Sequence, residues 1–283
     1  MKKIIDIYRA VPAHMADLMT FRAMPTSLID HLDPFLFINH HGPQTYKPNN
    51  QGLPFGPHPH RGFETLTFIF DGDIVHWDSN GFKSTIHAGG VQWMTAGSGL
   101  IHSEQSSEKF KSEGGPVEII QLWMNLPSDK KMIKPDYHGF EEDKLVHISN
   151  AEQGNTVHLI SGSYGGASGP MNSITGLTMM TVDIKENGTF HIDIPDGHET
   201  LFYVVNGEIE VNGNDARTHD LVRFNHEAGS VKVQAKSASR LIVGYGKPFN
   251  ETIVAQGPFV MNTEQEIMEA YRDYQQGKLG TWS

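Results

Sequence analysis

The chain has 283 residues, a length better suited to two medium-sized cores than to one. Its 38% hydrophobic and 19% charged residues, with 29 glycines and 15 prolines, suit a folded, turn-rich protein more than a disordered one. A formal charge of -11 without a dense Lys/Arg cluster argues against nucleic acid as a partner, and the absence of cysteine excludes disulfides, thiolate metal sites and a cysteine nucleophile.

In chain order, the opening Met1-Lys2-Lys3-Ile4-Ile5-Asp6-Ile7 is basic, but Asp6 and Arg9 interrupt any signal-peptide core. No apolar run approaches the roughly 18 residues of a membrane-spanning helix, so the expectation is a cytoplasmic protein with no membrane partner. Glu64-Thr65-Leu66-Thr67-Phe68-Ile69-Phe70 is rich in β-branched and aromatic residues and closes on Asp71-Gly72-Asp73, which reads as a strand and a turn. Further strands are expected at Asp73 to Asp78, Gly90 to Thr95, Val117 to Asn125, Thr156 to Gly162, Leu177 to Ile184 and Leu201 to Val205. Leu126 to Met132 is polar and breaks the alternation, which places a domain boundary near residue 135, between domains 1–135 and 136–283.

One helix is expected at the end, where Thr263-Glu264-Gln265-Glu266 forms a capping box before Ile267, Ala270, Tyr271 and Tyr274, with Gly277 as the stop. Glu64 to Gly72 (ETLTFIFDG) resembles Glu199 to Gly207 (ETLFYVVNG), a faint internal repeat that makes the halves two copies of one domain. The resulting fold class is all-β: two antiparallel jelly-roll barrels with a short C-terminal helix.

The chemistry concentrates in Pro57-His58-Pro59-His60 and in His102-Ser103-Glu104, each offering metal-ligand types at i and i+2. Positions i and i+2 face the same way on a strand and diverge by about 200° on a helix, so the spacing favours a sheet-borne site. Three imidazoles and a carboxylate suit iron, manganese, cobalt, nickel, copper or zinc and leave coordination positions open. Pro57 and Pro59 stiffen the chain around both histidines. Glu64 has three open readings: a ligand, a hydrogen-bond acceptor for an imidazole, which is favoured, or an ion-pair partner of Arg61. His40, His41, His76, His87, His138, His147 and His158 are given core or surface roles. Phe55, Phe63 and Trp123 are candidates to line an apolar pocket, with core packing the preferred reading.

The run His58-Pro59-His60-Arg61-Gly62-Phe63-Glu64-Thr65, with Gln92 to Gly97, His102-Ser103-Glu104 and Gln121 to Pro127, resembles the pirin family of two-domain cupins, and the resemblance spans essentially the whole chain. It implies that His58, His60, His102 and Glu104 hold one divalent metal, iron(II) first among the candidates, and that Glu64, placed like the ligand glutamate of general cupins, is not a ligand. The second half has a lone His198 before Glu199 and no His-x-His, so it is expected to be a degenerate cupin without metal. Because some pirins are quercetin 2,3-dioxygenases, the resemblance further implies opening of a flavonol ring with O2, with a small phenolic substrate and Glu104 as general base. The alternative is a metal-dependent regulatory protein that binds a protein partner without turnover. A third reading is a cupin isomerisation or decarboxylation that needs no oxygen.

Overall fold

The computed structural model describes residues 1–282. Strands dominate, and the chain divides into two compact units. The unit that carries the candidate site gathers Pro12–Arg22, Leu36–Glu142 and Phe249–Ser283, while the other gathers Met1–Val11, Ala23–Phe35 and Asp143–Pro248.

In the site-bearing unit a seven-stranded sheet runs in the order Asp136–Phe140, Val91–Thr95, Phe63–Asp71, Gly115–Asn125, Phe35–Tyr46, Thr20–Met24, Val11–Pro12. A four-stranded sheet runs Phe55–His60, Leu100–Gln105, Asp73–Asp78, Lys83–His87. Ile69, Val117 and Ile119 of the first sheet and Ile74 and Ile86 of the second share one buried cluster with Leu18, Leu53 and Phe110. At about 1.5–3 kcal/mol for each fully buried aliphatic or aromatic side chain, that cluster is what holds the two sheets together. The hydrogen-bond ladders stop at the sheet edges, so the barrels expected from the sequence are open two-sheet jelly rolls.

The other unit has the same plan. Its seven strands are Ile4–Arg9, Asp220–Phe224, Glu199–Asn206, Ser239–Gly246, Thr178–Ile184, Asn155–Ser161 and Val146–Asn150, and its four are Thr189–Ile194, Gly229–Ala235, Glu208–Val211 and Asn214–Arg217. Its core draws on both sheets, with Phe190, Phe202, Val204, Ile209, Phe224 and Val231 among its members. The internal repeat is structural. Phe63–Asp71 and Glu199–Asn206 are the corresponding strands, and the glycines that close them, Gly72 and Gly207, turn at φ +88° and +91°.

All seven strands expected from alternation are present, within two residues at each end. The C-terminal helix is Glu264–Gln275: Thr263 Oγ1 accepts from the Glu266 amide and the Glu266 carboxylate accepts from the Thr263 amide, so the capping box is complete. Ile267 and Ala270 bury against Ile101, Phe259, Met261 and Leu279, whereas Tyr274 is exposed and does not belong to the apolar face assigned to it. A second, six-residue helix, Glu108–Glu113, is capped by Ser107 and is too short to show a period in sequence. No helix among the described residues is long and apolar enough to cross a membrane.

Candidate metal centre

His58 and His60 lie on the Phe55–His60 strand, and His102 and Glu104 on its antiparallel neighbour Leu100–Gln105, with His102 directly opposite His58. Strand parity turns each i, i+2 pair to one face, and antiparallel pairing brings the two faces together. The three imidazoles gather so that one nitrogen from each lies within 4.8 Å of the others. The register shifts between His102 and Glu104, a bulge that re-aims the strand at the site.

The ring orientations are set from behind. His58 Nδ1 lies 2.7 Å from the Gly56 carbonyl and His60 Nδ1 lies 3.3 Å from that of Pro258, contacts that place a proton on each Nδ1 and leave each Nε2 as a lone pair. His60 Nε2 is buried with no partner, a costly arrangement for a polar atom unless something binds it. The Nε2 atoms of His58 and His102 are 3.0 Å apart. An ion about 2.1 Å from each, subtending a right angle, would separate them by about that distance, so the residues fit a metal. Burial first, then the neighbouring His58, pushes the His60 pKa down to about 3. Burial also lowers that of His102, with His58, His60 and His76 adding to the effect. His60 and His102 are therefore held neutral, the form that ligates.

Glu104 stands beside this triad and is not one of the three groups that converge. It lines the same cavity, where its Oε1 accepts from Thr67 Oγ1 at 3.2 Å and its Oε2 from Gln121 Nε2 at 2.7 Å. Trp123 Nε1 donates to Gln121 Oε1 at 3.1 Å, which fixes the amide's orientation.

Glu64 is turned elsewhere. On the Phe63–Asp71 strand, Phe63 touches His60 and Thr67 touches Glu104, so odd positions face the site. Glu64 has the opposite parity, and its Oε1 accepts from Trp93 Nε1 and Thr95 Oγ1. The favoured reading of Glu64 as an imidazole's acceptor is thereby corrected. Arg61 pairs with Asp273 at 3.0 Å and donates to the Ser98 carbonyl, so the Glu64–Arg61 ion pair is corrected as well.

His58 and His60 open onto a cavity of about 560 Å³, while His102 is fully buried. Phe37, Phe55 and Trp123 form its aromatic wall, with Phe37 stacked on Trp123 at 4.7 Å, so two of the three aromatics weighed as core packing line the pocket after all. Phe63 is fully buried behind Trp123. The sequence reading misses Gln121, Arg22, Asn39, His41 and Pro258 as cavity residues. A polar residue inside an otherwise apolar strand, as in Ile120-Gln121-Leu122, is the signal that could have found Gln121. His41, given a structural role, bonds through Nδ1 to Thr20 Oγ1 at 2.8 Å, and burial holds its pKa down to about 3. His76 stacks on Tyr137 at 4.0 Å and bonds to Asp78, which leaves it a support behind His102.

Two stacked-sheet units, one bearing a convergent histidine triad, define a two-domain cupin with a candidate metal centre. Residues 17–124 match the family description Pirin and residues 179–280 match Pirin C-terminal cupin domain. A Pseudomonas aeruginosa protein provisionally named quercetin 2,3-dioxygenase is 34% identical over 99% of both chains. A pirin-like protein of Solanum lycopersicum is 38% identical over 89% of this chain and 84% of its own. The crystal structure of a quercetin 2,3-dioxygenase from Acinetobacter baumannii superposes with a TM-score of 0.94 at 35% identity, covering 99% of both chains. A bacterial pirin from Escherichia coli in complex with nickel(II) shares the fold at 21% identity, with a TM-score of 0.66 over 86% of this chain and 99% of its own. The chain belongs to the pirin family.

Proposed function

We propose that this pirin is a metal-dependent dioxygenase that opens the central ring of a flavonol such as quercetin with O2 and releases carbon monoxide. His58, His60, His102 and Glu104 would hold one divalent metal, iron(II) first, with manganese, cobalt, nickel, copper and zinc also compatible with an all-nitrogen-and-oxygen donor set. The observation that carries the reading is a convergent histidine triad, two members of which, His58 and His60, line an aromatic-walled cavity of about 560 Å³, a volume that suits a drug-sized planar ligand. The names of relatives matched over nearly the whole chain support it.

Bound there, the metal supplies a Lewis acid that lowers the pKa of the flavonol's 3-hydroxyl. Glu104, on the same cavity, takes that proton as general base while Thr67 and Gln121 fix its carboxylate. The stacked Phe37 and Trp123 rings hold the planar substrate and exclude water, and the electron-rich flavonolate is the species that reacts with O2.

Relatives named only as pirin-like favour a second reading, a metal-dependent binding protein without turnover. Isotopically labelled oxygen separates the two. The dioxygenase places both labelled atoms in the ring-opened product and releases one carbon monoxide per quercetin. Fully metal-loaded protein that releases none overturns it in favour of the binding protein.

A further inference from the structure

Arg22 is a cation that the chemistry above leaves unused. It lies on the Thr20–Met24 strand, is partly buried, and lines the same cavity as His58, His60 and Glu104. Its Nε donates to Asn39 Oδ1 at 3.0 Å and its guanidinium carbon lies 4.9 Å from the centre of the Phe37 ring. No carboxylate among the described residues forms an ion pair with it, whereas Arg9, Arg61 and Arg240 each have an aspartate. An arginine in an apolar cavity without a counter-ion is costly, and burial indeed lowers its pKa. The nearby His41 is held neutral and supplies no second charge.

The donors left over have a defined shape. With Nε committed to Asn39, the two terminal nitrogens remain as a fork that matches the paired oxygens of a carboxylate. The Asn39 bond and the Phe37 ring hold that fork in place, so little side-chain freedom is lost on binding. Across the seven-stranded sheet, the Gly115–Asn125 strand with Gln121 and Trp123 lies two strands from Arg22. At about 4.8 Å per strand that is about 10 Å, the length of a two-ring aromatic with a substituent at each end.

We propose that Arg22 forms an anion subsite and that the natural substrate is a planar hydroxylated aromatic whose other end carries a carboxylate. The inference rests on the reading of this cavity as the phenol site. It specifies which phenols enter: quercetin lacks the carboxylate and is a stand-in.

The test is calorimetric titration of 6-hydroxy-2-naphthoate and of its methyl ester into metal-loaded protein under nitrogen, with wild type, Arg22→Met and Arg22→Lys. Wild type binds the acid at least about tenfold more tightly than the ester, and Arg22→Met loses about 10- to 100-fold in affinity for the acid while holding the ester unchanged. The ester therefore reports that the variant's cavity is intact. Arg22→Lys recovers part of the preference. Equal binding of acid and ester by wild type, no binding of either, or an acid preference that survives in Arg22→Met each overturns the subsite, the last because the carboxylate would then be held elsewhere. Because the titration needs no turnover, absence of carbon monoxide from quercetin would sink the dioxygenase reading while a lost acid preference in Arg22→Met still upheld the subsite.

Discussion

Gln121 Nε2 donates to Glu104 Oε2 at 2.7 Å, and Gln121 in turn receives the indole proton of Trp123, so a residue of the seven-stranded sheet aims a carboxylate of the four-stranded sheet. Outer hydrogen bonds of this kind orient a site and tune its affinity. Gln121→Leu, which keeps the bulk and removes the amide, is expected to weaken metal binding by about 10–100-fold with little change in thermal stability of the metal-free protein. Competition with a chelator measures it, and unchanged affinity would remove Glu104 from the metal's surroundings.

Glu64 makes the folded state pH-dependent. Burial first raises its pKa from 4.5 to about 7, with the Thr95 and Trp93 bonds opposing the rise, and its Oε2 has no partner. Between those two values the folded chain keeps a proton that the unfolded chain releases, so stability falls as pH rises from 4.5 to 7 and the full cost is present above that window. The difference corresponds to about 3 kcal/mol at most. Glu64→Gln keeps the acceptor for Trp93 and Thr95 and is expected to gain up to that amount in urea unfolding at pH 8 and little at pH 5. An equal effect at both values contradicts the account.

Gly62 follows the Phe55–His60 strand and Arg61 and turns at φ +89°, and a Cβ there would come within 2.0 Å of the Val260 carbonyl oxygen. Gly62→Ala is expected to cost more than about 2 kcal/mol, because the backbone conformation and the close approach both penalise a side chain. The loss would be read as a lower unfolding midpoint.

Lys131 works at the same junction: its buried Nζ donates to the carbonyls of Gly62 and Val260 and to Asn125 Oδ1. Lys131→Met leaves these acceptors without a donor and is expected to destabilise by about 3 kcal/mol, while Lys131→Arg fails to rescue it, since the planar fork does not fit a site built for a point charge. Chemical denaturation of both variants checks this.

Features that depend on local spacing were legible in the sequence. Strands such as Glu64 to Phe70 show in their two-residue period, the Thr263–Glu266 box shows as a local motif, and the histidine pairs show because i and i+2 share a face. The Phe35–Tyr46 strand does not, since Phe35-Leu36-Phe37-Ile38 is continuously apolar and Gly42-Pro43 interrupts the rest of the strand. Residues that depend on distant pairing are hidden too. Pro258 reaches His60 across 198 positions, and the Phe249–Ser283 segment that brings it belongs to the site-bearing unit. The break in alternation after Leu126 marks a turn, after which Asp136–Phe140 returns to pair with Val91–Thr95 in the same sheet. Arg22 escapes notice because an isolated arginine has no periodic or spaced partner, and its meaning appears only when the cavity is seen around it.

Oxygen uptake by iron(II)-loaded protein given quercetin, run beside a His102→Ala variant whose iron content is measured, tests the central claim most directly. The account predicts catalytic uptake by wild type with one iron per chain, and loss of both iron and uptake in the variant. Uptake that persists in an iron-free His102→Ala protein, or none from fully loaded wild type, would contradict it.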